Sequence, residues 1–123
     1  MKDEGKRPED LMVRTKVFAL RIIRLYSALP KDDVARVLGK QMLRSGTSVG
    51  AHYRESRRAR SNPEVISKLE GGLQELEETQ YWLELLAESD TLKAGSLQPL
   101  MNETNELTAI LVTCVKRVKA RPK

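Results

Sequence analysis

Apolar residues recur three and four apart in four stretches of this chain, and residues that cap or break helices bound each stretch. The first row is Leu11, Phe18, Ile22, Leu25 and Leu29, flanked by Met12, Ala19, Ile23 and Tyr26. That is the period of an amphipathic helix. Asp10 can cap its start and Pro30 ends it. The second row, Leu38, Met42, Val49 and Tyr53, follows a start near Asp33 or Val34. The third is Ile66, Leu69, Leu73, Leu76, Leu83 and Leu86, opened by Asn62 as N-cap, Pro63 at the first helical position and Glu64 in the first turn. The fourth is Leu97, Leu100, Thr104, Leu107, Leu111, Cys114 and Val118, widened by Ile110, Val112 and Val115. Ser96 caps it, with Pro99 in the tolerated first turn. The spacing predicts helices over about 10–29, 34–58, 63–89 and 97–119, with a mobile tail over 1–9 and a basic tail over 120–123. Four helices of similar length on short connections predict an all-α protein, an antiparallel up-down-up-down four-helix bundle.

Two features depart from simple amphipathicity. The first helix is also apolar on its far side, where Val13, Val17 and Leu20 sit among Arg14, Arg21 and Arg24. A single small bundle has one core, so a second apolar side points to a subunit interface, set against the plain alternative of scattered surface residues. The middle of the second helix is rich in small residues: Gly39, Gly46 and Gly50 with Ser45, Thr47, Ser48 and Ala51. Each interior glycine costs about 1 kcal/mol relative to alanine, so packing must offset the loss. A close helix–helix approach does that. The sharper alternative, a phosphate-cradling loop, lacks both the GxxxxGK[ST] and the GxGxxG pattern. Gly71 and Gly72 raise the same expectation in the third helix.

Composition fits this picture. The 123 residues contain only five aromatics and one cysteine, Cys114, which permits no internal disulfide. No apolar run is long enough to span a bilayer, and the opening MKDEGKRPED lacks the apolar stretch of a signal peptide. These features are expected of a cytoplasmic protein. The net charge of +5 is polarised, at +8 over residues 1–60, −6 over 61–95 and +3 over 96–123. Arg54, Arg57, Arg58 and Arg60 crowd seven positions, and Lys116, Arg117, Lys119 and Arg121 crowd the C-terminus. Arg54, Arg57 and Arg58 share a helical face by spacing. They answer either to the glutamates of the third helix or to the phosphates of a nucleic acid. The C-terminal cluster is partly explained by the macrodipole of its helix.

The run Gln41-Met42-Leu43-Arg44-Ser45-Gly46-Thr47-Ser48-Val49-Gly50-Ala51-His52-Tyr53-Arg54-Glu55, together with Tyr81-Trp82-Leu83-Glu84-Leu85-Leu86, resembles the 23S ribosomal RNA intervening-sequence family of four-helix-bundle proteins. The resemblance spans essentially the whole chain. It implies a ring-like homo-oligomer, a pentamer, with nucleic acid as the usual suggested partner and RNA favoured. A related branch, the accessory variability proteins of diversity-generating retroelements, implies the alternative of a protein scaffold or accessory subunit for a reverse transcriptase. Two positions depart from the family: His52 stands where members commonly carry asparagine, and Gly71-Gly72 replaces a more alanine-rich segment.

Other chemistry finds little support. A di-iron carboxylate site in a bundle asks for two Glu-x-x-His motifs, and the chain has one histidine, His52, with no glutamate three residues before it. No nucleophile–base pair is legible around it, and Cys114 falls on a core row. The expectation is a non-enzymatic oligomer without metal or cofactor. Its nucleic-acid contacts would be Arg54, Arg57, Arg58, Arg60, Lys116, Arg117, Lys119 and Arg121. Its subunit interface would use Val13, Val17 and Leu20 with Tyr81 and Trp82, an aromatic pair that could also stack on bases.

Overall fold

The computed structural model describes residues 8–122, with side chains from Asp10 onward. Four helices follow one another: α1 (Pro8–Ala28), α2 (Asp33–Arg57), α3 (Asn62–Glu88) and α4 (Ala94–Lys119). Each packs along its neighbour in sequence, α2 and α3 most extensively, while α1 and α4 touch only lightly. The arrangement is the expected antiparallel bundle. No strand is present among the described residues.

The expected helix boundaries shift at three starts. α1 begins at Pro8 instead of Asp10, so two residues of the expected tail are helical and the rest lie outside the described residues. Proline fits there because the first helical N–H has no partner in any case. α3 is capped by Ser61, not Asn62. Ser61 is extended (φ −149°, ψ 158°) and its hydroxyl accepts from the Glu64 amide at 3.2 Å. The Glu64 carboxylate in turn accepts from the Arg60 amide at 2.9 Å, a variant of the reciprocal Ser-x-x-Glu cap. The Asn62 side chain is engaged elsewhere, by Arg121. α4 starts at Ala94 with no side-chain cap, and the Ser96 hydroxyl donates back to the Lys93 carbonyl at 2.7 Å. Pro99 consequently lies beyond the first turn, inside the helix. α2 starts at Asp33, and its cap is Asp32, whose carboxylate accepts from the Ala35 amide at 2.9 Å.

The four apolar rows meet in one core. Leu11, Phe18, Ile22, Met42, Val49, Leu76, Leu83, Leu107 and Leu111 are fully shielded from solvent, each side chain worth about 1.5–3 kcal/mol of transfer free energy. Leu38, Ile66 and Leu73, also expected inside, are only partly buried at its margin. The small residues of α2 do what close packing requires. An added Cβ at Gly46 would lie 2.7 Å from Ile22 Cγ1, and one at Gly39 would lie 2.6 Å from Leu29 Cδ1. Both face α1. On the other side of α2, Ser45 and Thr79 of α3 share a buried hydrogen bond of 2.7 Å, and Thr79 donates onward to the Glu75 carbonyl at 2.8 Å. Both buried hydroxyls of the seam therefore have hydrogen-bond partners.

Candidate functional site

Antiparallel order places the C-termini of α2 and α4 at one end of the bundle, beside the start of α3. Both basic clusters therefore arrive at the same end. Arg54 and Arg57 occupy the last turn of α2, and Lys116, Arg117 and Lys119 the last turn of α4. Basic side chains there complement the partial negative charge of each helix end by about 0.3–1 kcal/mol apiece. That accounts for their presence at helix ends. It does not decide where each guanidinium points.

The structure divides the α2 cluster. Arg57 lines an open cleft of about 390 Å³ between the ends of α2, α3 and α4, together with Arg117 and Arg121. Tyr53, Val65, Leu69 and Val118 supply its apolar lining, and none of its lining residues is acidic. Arg54 lies on the opposite flank, in a shallow groove against α1 with Thr15, Lys16, Thr47 and Gly50. Arg58 is the exposed C-cap of α2, its amide bonded to the Glu55 carbonyl at 3.1 Å. Arg60 is exposed in the connection to α3. So the shared face expected for Arg54, Arg57 and Arg58 is split. Residues 57 and 58 diverge by about 100° on a helix, and neighbouring helices fill the two flanks.

Three of the glutamates of α3, Glu70, Glu75 and Glu78, meet basic side chains of neighbouring helices. Arg44 bonds Glu78 and lies 3.3 Å from Glu75, and the Glu78 hydrogen bond holds its guanidinium pKa above the usual value. Lys68 approaches Glu55 at 3.5 Å and Lys119 approaches Glu70 at 3.8 Å. Across the lightly packed α1–α4 side, Arg14 forks onto Glu103 at 2.7 and 2.9 Å and also bonds Glu106. Its pKa rises, chiefly through the Glu103 bond. Among the described residues, Arg54, Arg57, Arg58, Arg60, Lys116 and Arg117 enter no ion pair. Arg121 meets only the neutral Asn62, at 3.1 Å. The pairings of Arg14 and Arg44 escape a reading of the sequence because their partners lie 31 to 92 residues away.

The other singled-out residues fall in three places. Val13, Val17 and Leu20 are 64%, 47% and 40% exposed along the outer side of α1. Ile23 continues that row, a residue the sequence had assigned to the core flank. Tyr81 is exposed beside a groove between α3 and α4 that also holds Val112. Trp82 is half-buried against the core, with its ring centroid 5.1 Å from that of Tyr81. His52 projects from α2 onto α3, with Nε2 3.6 Å from Glu75 Oε2 and Nδ1 shielded without a hydrogen-bond partner. Cys114 is half-buried in the wall of the Arg57 cleft. Among the described residues, no three His, Cys, Asp or Glu side chains gather to hold a metal ion, and no helix is long and apolar enough to cross a membrane.

Comparison with solved structures finds a protein of unknown function from the S23 ribosomal protein family of Bacteroides thetaiotaomicron. It is 36% identical, aligned over 89% of this chain and 97% of its own, with a TM-score of 0.83. No match is found among curated proteins. The model of the 23S rRNA-intervening sequence proteins matches residues 9–113, which include α2, α3, nearly all of α1, and α4 up to its last six residues. By that match, in keeping with the four-helix architecture and the glycine-rich α2 seam, the chain belongs to the 23S rRNA-intervening sequence protein family.

Proposed function

We propose that this protein is a non-catalytic, homo-oligomeric nucleic-acid-binding bundle, with structured RNA as its ligand and the α2/α4 end of each subunit as its contact surface. One observation carries the reading: two basic helix ends converge on one end of the bundle, and Glu70, Glu75 and Glu78 of α3 are met by Arg44 and Lys119 and not by the Arg54–Arg60 cluster. Among the described residues, the basic side chains left over have no carboxylate partner, and phosphate is the anion that clustered arginines recognise best. Phosphate contacts dominate nucleic-acid affinity and need no base reading. The exposed apolar row of α1 supports self-association. The family resemblance implies a pentameric ring, which would repeat the +5 charge of each chain around a single axis.

The test is binding of the purified protein to an RNA hairpin and to a DNA duplex across a salt series. The logarithm of affinity should fall linearly with the logarithm of salt, with a slope of about −0.7 per phosphate contact for single strands and about −0.9 for duplex DNA. Arg54→Gln, Arg58→Gln and Lys116→Gln should each make that slope shallower by about one contact. Binding that is absent, or indifferent to salt, overturns the proposal.

A further inference from the structure

The cleft at the α2/α4 end has a chemistry that a flat phosphate-contacting surface does not need. Arg57, Arg117 and Arg121 converge on one hollow from two helix ends, while Val65, Leu69 and Val118 line it with hydrocarbon. Asn62 orients Arg121 through a 3.1 Å bond without neutralising it. The macrodipoles explain why basic residues end α2 and α4. They do not explain why three arginines line one hollow together with apolar residues and with no acid among the described residues that line it. At about 390 Å³, the hollow lies within the roughly 300–1,000 Å³ range of small-ligand sites, which combine apolar walls with a few placed polar groups.

We propose that this cleft is a receptor for a single unstacked nucleotide, its phosphate held by Arg57, Arg117 and Arg121 and its base laid on the Val65–Leu69–Val118 surface. The inference rests on the nucleic-acid reading above and narrows it. A duplex presents phosphates on a convex surface with its bases stacked inside, and it cannot place a base in a concave site. A strand end, a bulge or a loop can, and such unstacked bases are the usual targets of specific RNA recognition. The ligand preference would be single-stranded or interrupted RNA over an uninterrupted helix of equal charge. Arg54 and Arg58, on the far flank and at the cap, would contribute general attraction only.

The test uses the full chain and three probes measured by calorimetry: uridine 5′-monophosphate, uridine and inorganic phosphate. Single-stranded RNA and a duplex of equal length are titrated alongside. Uridine 5′-monophosphate should bind more tightly than either of its parts. Arg57→Gln and Arg117→Gln, both at exposed positions, should weaken it about tenfold or more, as loss of a charge-assisted contact implies. Arg54→Gln and Arg58→Gln should leave the mononucleotide affinity unchanged while lowering that for RNA. If RNA binds but the mononucleotide does not, or binds no better than inorganic phosphate, the cleft assignment is overturned and the broader function stands. If the mononucleotide binds in the cleft and neither RNA does, the cleft stands and the nucleic-acid reading falls. Silence from every probe removes both.

Discussion

Gly71 illustrates how two residues that look unrelated in the sequence share one volume. A Cβ added there would lie 2.8 Å from His52 Nδ1 and 2.9 Å from Cε1. The imidazole thus occupies space that only glycine leaves open. These two positions, far apart in the sequence, prove to be neighbours. Gly71→Ala should therefore be destabilising by about 1 kcal/mol, a clash of roughly 1–3 kcal/mol less the helix gain of about 1 kcal/mol. In the background of His52→Asn, whose side chain is shorter, the same change should be neutral or stabilising. A urea-unfolding cycle over the four proteins reads the coupling, and additivity within about 0.5 kcal/mol would show that the two side chains do not compete. Gly46 and Gly95 make a contrasting pair. Alanine at Gly46 meets the fully buried, β-branched Ile22 at 2.7 Å, whereas at Gly95 nothing lies within 4 Å. Gly46→Ala should lower the unfolding midpoint and Gly95→Ala should raise it, the latter by the entropy of the unfolded chain, about 0.4–1 kcal/mol.

At the scale of the helices, the weak side of the bundle is where α1 meets α4. The two helices approach each other less closely than the sequence neighbours do, and Arg14 bonds Glu103 and Glu106 across the gap. Arg14→Leu keeps the stem's packing but leaves the adjacent Glu103 and Glu106 carboxylates of α4 without their cation. The expected cost is about 1–2 kcal/mol, below that of a fully buried pair because the site is partly exposed. Hydrogen exchange should accelerate first in α1 and α4, with α2 and α3 protected, since their interface is the most extensive. Uniform acceleration over all four helices would contradict this. The helices themselves were legible in the sequence because apolar period, prolines and short connections agree with one another. Their partners across the bundle were not, because side chains 31 to 92 positions apart meet only through the packing register. The same limit applies to the site. The two basic clusters could be read from composition, but their convergence on one cleft depends on antiparallel order, and the separation of Arg54 from Arg57 depends on which helix fills each flank. The Ser61 cap was within reach, since Ser61 and Glu64 spell a capping box. Asn62 and Pro63 drew the reading one residue too far.

For the whole molecule, the informative surface is apolar. The outer row of α1 and the groove with Tyr81 and Val112 are different faces of the bundle, the groove lying between α3, diagonal to α1, and α4. Two different faces that pair with each other associate head to tail, which closes into a ring when the rotation allows, whereas one self-complementary face stops at a dimer. The proposed oligomer can therefore be dissected with one lysine per face. Val17→Lys and Tyr81→Lys both alter exposed positions, so each should cost the subunit no more than about 0.5 kcal/mol. Each alone should reduce the assembly to a single chain of 13.9 kDa by native mass measurement. Mixed together, the two variants retain one intact α1 row and one intact groove between them. They should form a heterodimer and nothing larger. A self-complementary α1 interface predicts the reverse: Val17→Lys alone dissociates the protein, Tyr81→Lys leaves it assembled, and mixing yields no heterodimer. RNA affinity should follow assembly, because linking several basic ends raises avidity by about 10²–10⁴ with no new contact on any one subunit. A Val17→Lys chain that binds RNA as tightly as the parent would separate the basic end from the oligomer as the source of affinity.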